Sequence, residues 1–271
     1  MSRREWEANL DRQCLAFQSL AENLKLPPPT KRAVQLSEGM YLAHSTSGEK
    51  FSAICAAGHM ASALQLAEQA GKQLSAGRTE VILGTADSVF FFVAPFRYPN
   101  TACGLLFARS LEVDHSFQGA ATPFDSGALL TVFIRPDPDE SPKEFLARHE
   151  MPLTGHRRYL ALSMDALFSR PEDYVDGVEQ CRPGPLGLTG GDCRRWTHEV
   201  RIPGRVPVRG SQHLQAIFAS RARVGDDPDI EALFQWCKEA GIDRVAFDTP
   251  GGDDFAALRQ SCLDYIRRKL Q

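Results

Sequence analysis

Residues 41–58 read YLAHSTSGEKFSAICAAG. An apolar run (Tyr41, Leu42, Ala43) ends in His44, and Thr46 follows two positions later. Phe51 and Ile54 are then spaced as one helix face, and Gly58 is a natural helix stop, because glycine accepts the left-handed conformation of a C-terminal cap. A strand is therefore expected at about 39–44 and a helix at about 48–57. In an extended chain His44 and Thr46 lie on the same side. His44 is either a working residue or the polar end of a strand, and the rest of the chain has to decide.

On the N-terminal side, Trp6, Leu10, Cys14, Phe17, Leu20 and Leu24 recur at helical spacing. Pro27, Pro28 and Pro29 end that helix, since proline lacks the amide and fixes φ. Residues 1–30 thus form a helical N-terminal unit ahead of the main domain, 31–271. On the C-terminal side, 61–76 has a helical pattern closed by Gly77. EVIL at 80–83 and SVFFFVAPF at 88–96 read as strands, the second apolar on both faces and so central. Residues 113–195 are rich in Pro, Gly and Asp, with a strand at 129–134 and helices near 142–149 and 163–169. GPLGLTGG at 184–191 reads as a mobile loop. Strands follow at 198–202 and 213–220, then a helix at 228–240, a strand at 244–247 and a helix at 253–270. Helices early, strands in the middle and an alternating tail give an α+β class with mostly non-sequential strand pairing.

The bulk numbers narrow the function. The chain has 271 residues, a formal charge of −3 and 43% hydrophobic residues, enough for a sizeable core and unlike a protein that coats nucleic acid. A local basic groove stays open. The seven cysteines are scattered without a CxxC pair, which gives zinc no pattern and suits small core thiols in a reducing cytoplasm. No stretch approaches membrane-spanning length and the N-terminus has no signal-like apolar core, so a soluble cytoplasmic protein is expected. GxGxxG and GxxxxGK[ST] are absent, leaving Rossmann and P-loop readings without support. FDSG at 124–127 is not a nucleophile elbow and reads as a turn opened by its aspartate. His149-Glu150 lacks the second histidine of HExxH, and GDDPD at 225–229 reads as a helix N-terminus.

Three segments stand out together: HSTSGEKFSAICAAG at 44–58, DSVFFFVAPFRYPNTACGLLF at 87–107 and HEVRIPGRVPV at 198–208. In that order they resemble the DarT-type ADP-ribosyltransferases. There a strand ends in His-x-Thr before a short helix, an aromatic strand runs into an Arg/Phe and Pro turn, and a Glu-Val strand follows. The likeness covers about half of the chain. Against the compact members of that family the aromatic strand and Glu199 are far apart, so 113–190 is expected to be an insertion. The fold it implies is a split mixed β-sheet with flanking helices.

The resemblance implies an NAD-consuming transferase, with NAD as substrate, and its chemistry can be rebuilt from elementary requirements. Breaking the nicotinamide–ribose bond leaves an oxocarbenium-like sugar, and a carboxylate beside it stabilises the charge and holds the 2′-hydroxyl. Glu199 takes that role and can accept the proton of the attacking nucleophile. Arg97 joins it in the catalytic set, as a fork for the pyrophosphate or, alternatively, as an ordinary surface ion pair. His44 and Thr46 are candidates for the NAD riboses, and Phe92 or Tyr98 for stacking on nicotinamide, the competing role for each ring being core packing. Arg78 is a further candidate for phosphate or target contact. His198 should point away from Glu199 and be structural. Arg194, Arg195, Arg201, Arg205 and Arg209 form either a solvated loop or a positive lip for an anionic target.

The acceptor implied is a nucleic-acid base or RNA, with a protein acceptor as the alternative, in a bacterial toxin or phage-defence setting that can include a neutralising antitoxin partner. A nucleobase acceptor has to be presented unstacked. Two rivals remain: an NAD-using RNA 2′-phosphotransferase on a related scaffold, and a binding module that has lost catalysis.

Overall fold

The structure is a computed structural model and describes residues 27–98, 100–116, 118–130, 139–176, 194, 196–249, 252 and 254–270. The helix expected at 4–24, the 184–191 loop and residues 131–134 of the expected LLTVFI strand lie outside the described residues.

Ten strands are described: β1 (Tyr41–Thr46), β2 (His59–Ala61), β3 (Ser88–Phe92), β4 (Cys103–Ala108), β5 (Ala120–Thr122), β6 (Met151–Pro152), β7 (Glu199–Pro203), β8 (Arg205–Pro207), β9 (Leu214–Ser220) and β10 (Asp243–Phe247). Eight of them form one sheet in the order β10-β9-β4-β1-β3-β7-β5-β6, and β2 pairs with β8 separately. Only β10 and β9 run parallel. The fold is the expected α+β arrangement, a mixed sheet with flanking helices. The sheet is nearly divided: β1 meets β4 at six register pairs but meets β3 only at Ala43↔Phe92. β5 and β6, which belong to the 113–190 region, extend the sheet beyond β7.

Local chemistry explains most boundaries. The helix Gly48–Ala57 ends at Gly58 with φ 72°, as its sequence requires. Ser141 and Glu144 form a reciprocal capping box at the helix Pro142–His149. Asp227 caps the helix Pro228–Glu239, so GDDPD is a helix start. β3 stops at Phe92 before Pro95, although Val93 N–H still donates to the His198 carbonyl at 2.9 Å.

Several expectations need correction. EVIL is not a strand: Thr79–Leu83 is a short helix closed by Gly84 at φ 72°. Only Leu83 of that segment is buried while Ile82 is exposed, so its β-branched residues have no sheet to pack on. The 61–76 helix shrinks to Ala63–Gln69, because Gly71 already turns left-handed at φ 61°. Leu129 and Leu130 belong to a 3-10 helix, Ser126–Leu130. The helix expected at 163–169 spans Leu153–Leu167, starting behind Pro152 without a side-chain cap to announce it.

The main core runs through both halves of the sheet. Phe91 packs edge-on against Phe107 at 5.5 Å and Phe96 against Phe218 at 5.3 Å between ring centroids. A smaller, separate cluster holds Leu83, Phe124, Ala128, Leu129, Phe145 and Leu146. Gly104 of β4 is where the loop after β3 crosses back over the sheet. A Cβ there would stand 2.2 Å from Cζ of Phe96, which is itself buried. Gly104→Ala is therefore expected to cost roughly 1–3 kcal/mol by overpacking, read as a lower urea midpoint at unchanged slope.

Candidate active site

Strand register builds the site. Ala43, Phe92, Glu199 and Thr122 lie opposite one another across β1, β3, β7 and β5, so they share one face of the sheet. Phe90 and Arg201 form the next row on that face. The loop after β3 brings Tyr98 back over the row, and its ring meets that of Phe92 edge-on, 5.1 Å between centroids.

The Glu199 carboxylate is buried, 1% exposed. Its Oε2 accepts a hydrogen bond from the Ser126 amide at 3.1 Å. Its Oε1 has no hydrogen bond among the described residues and stands 3.4 Å from Arg201 Nε. Arg201 spends its other arm on Glu150, Nη2 to Oε1 at 2.6 Å. The Tyr98 hydroxyl donates to Asp125, which is also buried. Burial, and then the neighbouring Asp125 charge, push Glu199 up to about 8, against the opposing pull of Arg201 and the Ser126 amide. Burial and Asp125 also raise the Tyr98 hydroxyl, keeping it protonated at neutral pH.

The other expected residues are placed differently. His44 alternates with Ala43, so it points to the opposite face from Glu199, edge-on to Phe91 at 6.1 Å. Its Nδ1 lies 2.9 Å from the Phe90 carbonyl. A carbonyl only accepts, so Nδ1 carries the proton and bridges the seam where β1 leaves β3. Burial lowers the His44 pKa, which leaves the ring neutral and its Nε2 an acceptor at pH 7. Thr46, buried at the end of β1, shares the His44 face. Beyond it lies a polar cleft of about 440 Å³ that includes Ser47, Gly48, Thr101, Arg223 and Asp254, and Glu199 does not line it.

All three guanidinium nitrogens of Arg97 are buried without a hydrogen-bond partner among the described residues, and its Cζ sits 5.9 Å above the Tyr174 ring centroid. It is not a surface ion pair. Arg78 is exposed and engaged with Glu80 at 3.2 Å; no contact ties it to the Glu199 row. Arg201, read as part of a positive lip, is instead buried between two glutamates, because alternation turns it onto the Glu199 face. His198 does point away from Glu199, into a buried chain with His156 and Ser163. Asp125 and Ser126 were missed as site residues. They reach Glu199 through the β5–β7 pairing, and FDSG carries no local mark of that distant contact.

No protein-family model matches the sequence, and no curated protein is similar to it. Among solved structures the chain is similar to the DarT of Thermus sp. 2.9 in complex with NAD+, at 13% identity over 77% of this chain and 96% of that one, with a TM-score of 0.41. The same protein in complex with carba-NAD+ matches at the same identity and coverage, with a TM-score of 0.36. Among the described residues no helix is long and apolar enough to cross a membrane.

Chemically, the row offers a carboxylate with one oxygen free of hydrogen bonds among the described residues, next to an edge-on pair of aromatic rings. In its ionised form such a group can face a developing positive charge on a sugar carbon and take a proton from an incoming nucleophile.

Proposed function

We propose that the chain is an NAD-dependent mono-ADP-ribosyltransferase with Glu199 as its catalytic carboxylate. The observation that carries the reading is the alignment of Glu199 with Phe92 on one sheet row, under the Tyr98 ring. In the reaction the bond from ribose C1′ to the nicotinamide nitrogen breaks and its electron pair leaves with nicotinamide. A lone pair of the acceptor forms the new bond to C1′, and Glu199 takes the acceptor's proton. Phe92 and Tyr98 provide the flat apolar wall for nicotinamide. His44 and Thr46 serve the riboses where β1 leaves β3, the opening in the sheet through which the two faces meet. Arg97 serves the pyrophosphate: a guanidinium buried without a hydrogen-bond partner gains most from an anion. Arg78 is left for contact with the target. The acceptor is a nucleic-acid base or RNA, and the setting a cytoplasmic toxin or anti-phage effector that an antitoxin can neutralise.

The test uses labelled NAD with single-stranded DNA, RNA or cell lysate, wild type beside Glu199→Gln. Label should enter one acceptor class, and Glu199→Gln should lower the rate by about 10²–10³-fold, the usual weight of one preorganised charge-stabilising group. Equal labelling by the variant would remove Glu199 from the catalytic role, and RNA-dependent nicotinamide release that the variant retains, with no label on any macromolecule, would point to a 2′-phosphotransferase. Neither label nor free nicotinamide from the wild type would end the NAD reading.

A further inference from the structure

The carboxylate that this reading needs is closed off. Glu199 is 1% exposed, and the turn Phe124–Gly127 places the Ser126 amide directly on its carboxylate. We infer that this turn is a built-in occupant of the Glu199 site and has to leave before a sugar can reach the carboxylate. The inference rests on the NAD reading above and names the regulation of the same site.

Among the described residues, hydrogen bonds reach the turn from three directions. The Ser126 amide donates to Glu199 Oε2 at 3.1 Å, where a sugar hydroxyl would otherwise donate. Asp125 receives the Tyr98 hydroxyl, which ties down one ring of the aromatic pair. The Asp125 amide donates to the Arg194 carbonyl at 2.7 Å. Within the turn, Asp125 Oδ1 accepts the Gly127 amide at 2.8 Å, and at its start Thr122 Oγ1 of β5 donates to the Phe124 carbonyl at 2.7 Å. The turn therefore keeps its own shape and can move as a unit.

Its anchorage points the same way. Phe124 packs in the small cluster with Phe145 and Leu146, not in the main core. A segment held by a satellite cluster opens at lower cost than one held by the central core. The contact also opposes itself electrostatically, because it presses the Asp125 carboxylate toward Glu199. The polar cleft beyond Thr46, by contrast, is already open. A ligand that needs the Glu199 carboxylate competes with the turn for it. Its apparent affinity falls by the fraction of molecules in which the turn is out.

Ser126 is the first residue of its 3-10 helix, a position whose backbone suits proline, which removes the donated amide along with the serine hydroxyl. Ser126→Pro should lower the KM for NAD about tenfold, with a smaller change in kcat. Hydrogen exchange of the peptide 123–130, followed without NAD in wild type and Glu199→Ala, gives a readout independent of activity. Faster exchange in Glu199→Ala is expected. Equal exchange overturns the occupancy, whatever the enzyme does with NAD. Faster exchange together with an unchanged or raised KM in Ser126→Pro overturns the turn's role as a competitor. If exchange is faster but no variant releases nicotinamide, the NAD reading falls and the regulatory inference falls with it.

Discussion

Arg109→Ala is expected to lower folding stability by about 3–5 kcal/mol, the cost of breaking one member of a buried ionic network, and to show it as a large drop in the urea midpoint. Arg109 is 3% exposed and grips the equally buried Glu112 through Nε at 3.0 Å and Nη2 at 2.7 Å. Its Nη1 donates to the Ser37 carbonyl at 3.2 Å, which ties in the helix Lys31–Gly39. Glu112 also faces His156 Nδ1 at 2.9 Å. His156 Nδ1 lies 2.9 Å from both Glu112 Oε1 and Arg109 Nη2, its Nε2 shares a hydrogen bond with His198 Nδ1 at 3.0 Å, and His198 Nε2 shares one with Ser163 Oγ at 2.8 Å. Both imidazoles are neutral. Burial lowers each pKa first; for His198 the neighbouring His156 lowers it further, and for His156 the hydrogen bond to Glu112 only partly offsets the burial. Burial would raise Glu112, but the His156 hydrogen bond and the Arg109 charge hold it below its ordinary value. Removing Arg109 leaves the buried Glu112 carboxylate, among the described residues, with only His156 and the more distant Arg157 Nε, 3.6 Å from its Oε2. The same two histidines set an acid limit. Their folded pKa values lie below the unfolded value near 6.5, so stability is complete above that pH and is lost as pH falls below it. A midpoint that ignores pH between 7 and 5 would show that the chain is not neutral.

The sequence makes elements with strong local chemistry legible and leaves long-range geometry hidden. The helix stop at Gly58 and the cap at Asp227 follow from conformational preference within a few residues, and both are found. EVIL fails for the opposite reason. Its β-branched residues suit a strand, but the chain offers them no neighbour, and the glycine at 84 closes a helical turn instead. β4 went unassigned because CGLLFA has no alternation. A strand buried on both faces between β1 and β9 looks like any apolar run. At the site, Glu199 and the aromatic strand were legible as segments, and their register is what brings them together. The side of the sheet was not legible. His44 and Glu199 each look able to face a cleft, but a single register pair, Ala43↔Phe92, puts them on opposite faces. The turn that contacts Glu199 lies 73 residues away in the chain and is recruited by β5, a strand of three residues too short to read.

Glu199→Gln should make the protein more stable as well as inactive, and the gain should grow with pH. In the unfolded chain a glutamate releases its proton near 4.3. In the fold, burial and Asp125 move that release up to about 8. Between those values the folded state holds a proton that the unfolded state has lost. The Glu199 contribution is therefore complete below about pH 4 and is lost as pH rises toward 8. Glutamine keeps an oxygen to accept the Ser126 amide and never titrates, so it escapes the loss. At pH 4 the two proteins should melt at nearly the same temperature. At pH 8 the variant should be ahead by up to roughly 4 kcal/mol, which is about 8–16 °C in a domain of this size. Arg201 sets the limit on this gain, because its guanidinium 3.4 Å away favours the charged form and loses that partner in the variant. A difference that stays constant from pH 5 to pH 8 would mean that Glu199 is ionised throughout and that Arg201, not Asp125, governs it. The opposite signs matter for function. A glutamate kept for structure loses stability when it is neutralised. One that costs the fold stability at working pH, yet sits aligned with an aromatic pair, is best explained by what it does to a substrate.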